Sequence, residues 1–145
     1  MPGFFDNPLG ILWPTLVHLA LIQFLFVMVS IRRQQAVRET KLEMDDLAQA
    51  GREPELSRRW ARNLDNQFQV PMLYYALVAI LIARQEVSVA QIVLAWIFVF
   101  GRIAHTIVQT RTDDVALRGQ VFTINYAALS LMWLLFLTRS FGLMP

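Results

Sequence analysis

Arg102, His105 and Gln109 follow one another at i, i+3 and i+7, a spacing that puts all three on one face of a helix. Upstream, Arg59, Arg62 and Asn66 repeat the three-and-four spacing, and Gln69 follows three residues later. Arg118 opens a further apolar segment at the same level of the chain. Three segments thus direct guanidinium and amide groups into one depth zone, which is the chemistry of a polar pocket. Each member also has a plainer reading. Arg102 could snorkel from a helix end, and His105 could pack at an interface. Asn66, Gln67, Gln69 and Asn125 could be amides that join helices in lipid, while Arg58, Arg59 and Arg111 could simply set topology.

Competing chemistries fail on arithmetic. The two histidines invite a bis-histidine haem, but His18 lies about 13 Å and His105 about 27 Å from the outer start of its own segment at 1.5 Å per residue. Axial ligands to one iron need one depth, so no haem is expected. Asp113 and Asp114 with His105 are weak grounds for a metal, and none is expected. No phosphate loop, nucleophile elbow or metalloprotease motif occurs in the chain. A channel or transporter needs polar residues along a whole path, and most of the last two apolar segments lack them.

The elements that position these residues must lie in a membrane. The chain has 145 residues, 56% hydrophobic and 17% charged, with no cysteine, and a mean hydropathy of +0.44. Soluble domains are less apolar and more charged. Disorder, a disulfide scaffold, thiolate metal sites and a catalytic cysteine are excluded. The pI is 9.5, yet a net charge of +2 gives no basic stripe for nucleic acid.

A span needs about 20 mostly apolar residues. Four stretches qualify, at approximately 9–31, 67–83, 87–108 and 121–138. The first has no basic segment before it and no small-residue cleavage site after it, so it reads as a span rather than a signal peptide. The positive-inside rule then sets the orientation. Arg32, Arg33, Arg38, Lys41, Arg52, Arg58, Arg59 and Arg62 crowd the first inter-span stretch, and Arg111 and Arg118 the third, against Arg84 and Arg139 opposite. Stretches 32–66 and 109–120 are therefore expected in the cytoplasm and both termini outside. Trp13 reads as an interface anchor.

Between 31 and 50 there is no proline or glycine, so the first helix is expected to run past the membrane until Gly51. A second helix should start near Glu55, after Pro54, and continue through Ala83 with a kink at Pro71. The single-domain expectation is an all-α, up-down four-helix membrane bundle spanning residues 1–145.

Two segments resemble the MAPEG family, the membrane-associated proteins in eicosanoid and glutathione metabolism. The first is RWARNLDNQFQVP at 59–71, followed by MLYY. It is similar to the family's basic, Asn-rich approach to a carboxylate, a proline and the second span. The second is GRIAHTIV at 101–108, with Arg118 thirteen residues after His105, similar to the family's Arg-x-x-His motif and the arginine that opens the fourth helix. The resemblance covers nearly the whole chain. It implies a homotrimer with glutathione at the cytoplasmic end between protomers, and a lipophilic co-substrate arriving from the bilayer. By motif match, Arg102 and Arg118 would be glutathione ligands, with His105 behind or beside them and Arg62, Asn66, Gln69 and Gln109 completing the site. Glutathione carries two carboxylates, so such arginines would pair it, and Arg118 near its sulfur would stabilise the thiolate.

The chain also departs from the family pattern. Amides, Gln67 or Gln69 by register, stand where members place a glutamate, and Asp65 is one register off. Gln109 replaces a tyrosine, Gly119 and Phe122 replace hydroxyl-bearing residues, and Tyr126 is the last helix's only tyrosine. Two functions follow as expectations. One is a glutathione-dependent transferase or peroxidase for lipophilic electrophiles or lipid hydroperoxides. The other is a non-catalytic protein of the same fold that binds a lipid, another anion or a partner protein.

Overall fold

The computed structural model describes residues 8–40, 43, 45, 47 and 53–143. A 3-10 turn at Pro8–Ile11 leads into α1 (Leu12–Thr40), followed by α2 (Glu55–Asp65), α3 (Val70–Ala83), α4 (Val89–Arg111) and α5 (Val115–Ser140). No strand occurs among the described residues. Four helical units are long and apolar enough to cross a membrane, with α2 and α3 together forming the second. The first helix does run beyond a span's length, to Thr40. Its expected end at Gly51 lies outside the described residues, as do Lys41 and Arg52.

The second unit departs from the expected single kinked helix. It breaks completely over residues 66–69. Pro71 has no N–H to give the Gln67 carbonyl, and its ring would crowd that carbonyl in a continuous helix. The chain instead closes α2 with short three-residue bonds, Gln67 N to Leu64 O at 2.9 Å and Phe68 N to Asp65 O at 3.0 Å. It restarts with Pro71 in the first turn of α3, where a missing donor costs nothing. Composition follows the break, since α2 is rich in arginine and α3 is almost wholly apolar.

Caps define the remaining ends. Ser88 and Asp114 accept from Gln91 N (3.4 Å) and Leu117 N (2.9 Å), starting α4 and α5. The turn after α3 is a Schellman closure, with Glu86 N on Leu81 O and Gln85 N on Ile82 O. Gln85 takes the left-handed position at φ 57°. This tight turn joins α3 to α4. Helix α5 begins at Val115, so Arg118 stands in its first turn.

Helix α4 is central, packing along α5 and against α1 and α2, while α3 meets α5. One apolar core joins Tyr74, Leu77, Ile92, Phe98, Leu129 and Met132, with Tyr74 stacked on Phe98 at 4.7 Å. A smaller cluster of Ile22, Leu25, Val29 and Leu64 locks α1 to α2. Many large apolar side chains remain exposed around the outside, Trp13, Phe24, Phe100 and Leu134 among them. That inverted surface belongs in lipid.

Asn125, read above as an amide joining helices, is 1% exposed, and neither of its side-chain polar atoms has a partner among the described residues. A buried amide that makes no bond has no stabilising role to lose. Asn125→Ala, which removes the amide without adding bulk against Gly101, is therefore expected to leave thermal stability in detergent little changed; a drop of several degrees would show that the amide is paired.

Candidate functional site

A cavity of about 550 Å³ opens where α2, α4 and α5 meet. Arg62, Asp65, Asn66 and Gln69 line it from α2 and the break, His105 and Gln109 from α4, and Val115, Arg118, Gly119 and Phe122 from α5. Neither the Arg62 nor the Arg118 guanidinium forms an ion pair or hydrogen bond with any described residue. Arg59 differs. It is bound to Glu55 (3.2 Å) and to Asp113, and lines a separate, smaller pocket that shares Arg62 and Arg118 with the cavity. His105 is nearly buried, packs near Phe122 at 6.2 Å and has an unpartnered Nδ1.

Six of the seven residues expected at the site thus come together: Arg62, Asn66, Gln69, His105, Gln109 and Arg118. Arg102 is not among the lining residues. It lies below them, 1% exposed, and donates Nε and Nη2 to Gln67 Oε1 (3.0 and 2.9 Å) and Nη2 to the Asn66 carbonyl (2.9 Å). It does not snorkel. All its partners are neutral, so a buried cation sits uncompensated beneath the cavity floor, biasing the space above it toward anions.

Gln67 organises this floor. Its Oε1 accepts from Arg102 and from His18 Nε2 (3.1 Å), while its Nε2 donates to the Asn63 carbonyl and Oδ1. His18 Nδ1 meets the Tyr75 hydroxyl at 2.6 Å, so both ring nitrogens are engaged within the bundle. Asn63 then donates to Gln109 Oε1 at 3.0 Å and accepts from Thr106 Oγ1 at 3.0 Å. Asn66 also donates to Gln109 Oε1, at 3.1 Å. Gln109 is thereby clamped through its oxygen, and its Nε2 has no partner among the described residues.

The helical architecture, the polar end and the two motif segments all fall within residues 10–138, which match the model of the MAPEG family. The chain belongs to the MAPEG family. Comparison with curated proteins and with solved structures gave no match. With its four apolar helices, this MAPEG chain is a multi-pass membrane protein. Among its described residues no group of three or more His, Asp or Glu could hold a metal.

Sequence reasoning had set aside or passed over four residues that this MAPEG bundle uses. Asp65, dismissed by register, lines the cavity beside Arg62; its three-residue offset from Arg62 is the signal that could have found it. Asn63, four before Gln67, and Thr106, three before Gln109, form the buried support. His18 entered only as a haem ligand, although its partners come from segments 49 and 57 residues away. No local pattern contains that information.

Proposed function

We propose that the protein is a glutathione-dependent transferase or peroxidase, acting on lipophilic electrophiles or lipid hydroperoxides at the cytoplasmic end of the bundle. The observation that carries this reading is a pair of guanidinium groups, Arg62 and Arg118, without partners among the described residues, in one cavity of about 550 Å³ where Asp65 is the single carboxylate among the described lining residues. Glutathione presents two carboxylates and one ammonium, so the charges complement one another in kind and number. The volume falls in the ordinary range for small-molecule sites. No serine, threonine or tyrosine is among the described residues that line the cavity, so thiol activation falls to Arg118 and to the buried charge of Arg102, which favour the thiolate. In transfer, that sulfur forms a bond to the electrophilic carbon as the leaving group departs with its electron pair. In peroxide reduction, two glutathiones become one disulfide while the O–O bond breaks to alcohol and water. A homotrimer fits the family, with the cavity completed between protomers, both termini outside, and stretches 32–66 and 109–120 in the cytoplasm.

Calorimetry on detergent-purified protein tests the binding step. Glutathione is expected to bind at millimolar concentration or below, and Arg118→Ala to weaken it by about tenfold or more, as loss of a charge-assisted pair does. Turnover of a generic aryl halide and of cumene hydroperoxide should fall in parallel. A folded protein that binds no glutathione would end this reading. The absence of a hydroxyl in the cavity favours one alternative, a non-catalytic member of the fold; binding without turnover would select it.

A further inference from the structure

Arginine carries no acceptor atom, so whatever faces the Arg102 guanidinium must accept. That one constraint orients three amides in turn. The Gln67 atom met by Arg102 Nε and Nη2, at 3.0 and 2.9 Å, is its oxygen, which turns Gln67 Nε2 toward Asn63. An amide nitrogen only donates, so the Asn63 side-chain atom 3.3 Å away is Oδ1. Thr106 Oγ1 donates to the same oxygen at 3.0 Å. Asn63 Nδ2 then donates to Gln109 Oε1 at 3.0 Å, where Asn66 Nδ2 joins it at 3.1 Å. Gln109 Nε2 ends the chain and has no partner among the described residues.

Every link runs in one direction, from a buried cation to the cavity. Arg102, Gln67 and Asn63 are each 1% exposed or less, so water does not compete for these bonds, and hydrogen bonds in series polarise one another. Turning Gln67 or Asn63 round would set like atoms against each other at both ends. The last amide is also well placed. Together with Arg62 and Arg118, Gln109 lines both the cavity and the smaller pocket beside it. The end of the chain and the two guanidinium groups therefore border one space.

We infer that Gln109 Nε2 is a fixed donor to an anionic atom of the bound ligand, and that Gln67 and Asn63 are positioning residues that hold it donor-side out and carry the influence of the Arg102 charge to it. A hydroxyl at this place could rotate to donate or accept; the clamped amide only donates, so the position selects an acceptor. On the glutathione reading, on which this inference rests, the acceptor is a carboxylate oxygen or the thiolate sulfur.

Glutathione calorimetry on the detergent-purified full chain tests the links. Gln109→Met keeps the bulk and removes the donor, and should weaken glutathione by about tenfold or more, as loss of a hydrogen bond to a charged atom does. S-methylglutathione keeps both carboxylates and lacks the thiol. An equal loss with it assigns the donor to a carboxylate, and a loss confined to glutathione assigns it to the thiolate. Asn63→Asp tests the positioning. It still accepts from Gln67 and Thr106, but it offers Gln109 an oxygen where a donor stood, so Gln109 turns its Nε2 inward. Affinity should fall about tenfold from wild type but less than about threefold when Gln109→Met is already present, because coupled residues are not additive. An undiminished loss in the double variant would mean a general charge or folding effect and would overturn the relay. Nitrogen-15 glutamine labelling reads the wild type directly, with the Gln109 signal assigned by its absence from Gln109→Met. That side-chain amide should shift when glutathione is added. An unmoved signal, or wild-type affinity in Gln109→Met, would overturn this inference alone. A wild type that binds no glutathione would overturn the function proposed above and this inference with it.

Discussion

Gln67→Leu is expected to lower stability by about 3–5 kcal/mol, the range seen when a buried charge loses its partner. The reasoning rests on what the leucine leaves behind. Arg102 loses both contacts to Oε1 and keeps only the Asn66 carbonyl. His18 Nε2 loses its acceptor, and the Asn63 carbonyl loses a donor. An apolar side chain of similar size fills the space and satisfies none of these groups. Thermal unfolding in detergent reads the loss directly. Gln67→Glu is the sharper companion. A carboxylate there still accepts from Arg102 and His18 and neutralises Arg102, but it cannot donate to the Asn63 carbonyl and Oδ1 as Nε2 does, so it should keep more of the stability than leucine without exceeding the wild type. The same neutralisation removes the buried positive charge beneath the cavity, so affinity for any anion bound between Arg62 and Arg118 should fall several-fold. Should Gln67→Leu melt with the wild type, the amide is not the hub described here.

Gly101→Ala carries the second large effect. An added Cβ at Gly101 would lie 1.6 Å from Asn125 Oδ1 and 2.8 Å from its Cγ, far inside contact distance. Asn125 is 1% exposed, so its side chain must be displaced within a buried contact, pressing on α4 and α5 where they pack. Overpacking of this kind costs about 1–3 kcal/mol, which outweighs the gain of roughly 1 kcal/mol in helix propensity from glycine to alanine. The double change Gly101→Ala with Asn125→Ala removes the clash and keeps the propensity gain. It should recover most of the lost stability, giving a coupling energy above the 0.5 kcal/mol that separates contacting from independent sites. Equal losses in single and double variants would mean that the two helices do not meet at this point.

These two predictions concern residues of very different legibility. Arg102 stood out in the sequence, because a guanidinium inside an apolar run must find protein or water. Its partner did not stand out. Gln67 comes 35 residues earlier, in a stretch where Asn66, Gln67 and Gln69 were equivalent as text. What separates them is the break in the helix. With four residues out of helical register, neighbouring side chains leave in opposite directions, Asn66 and Gln69 to the polar cavity, Gln67 and Phe68 to an apolar groove between α1 and α3.

The membrane class, the all-helical architecture and the polar end follow from sequence alone. Hydrocarbon thickness dictates the length of an apolar run, and the backbone's need for internal hydrogen bonds dictates that such runs be helices; both are local properties of the chain. Helical spacing likewise grouped Arg62, Asn66 and Gln69, and separately His105 and Gln109. The tertiary structure decided which cations face open space and which are consumed. Arg59 is spent on Glu55 and Asp113, Arg102 is buried against Gln67, and Arg62 and Arg118 line the cavity with Asp65, their guanidinium groups without partners among the described residues. Pairing of that kind depends on distances between residues far apart in the chain, set by how helices pack, and no spacing along a single helix encodes it.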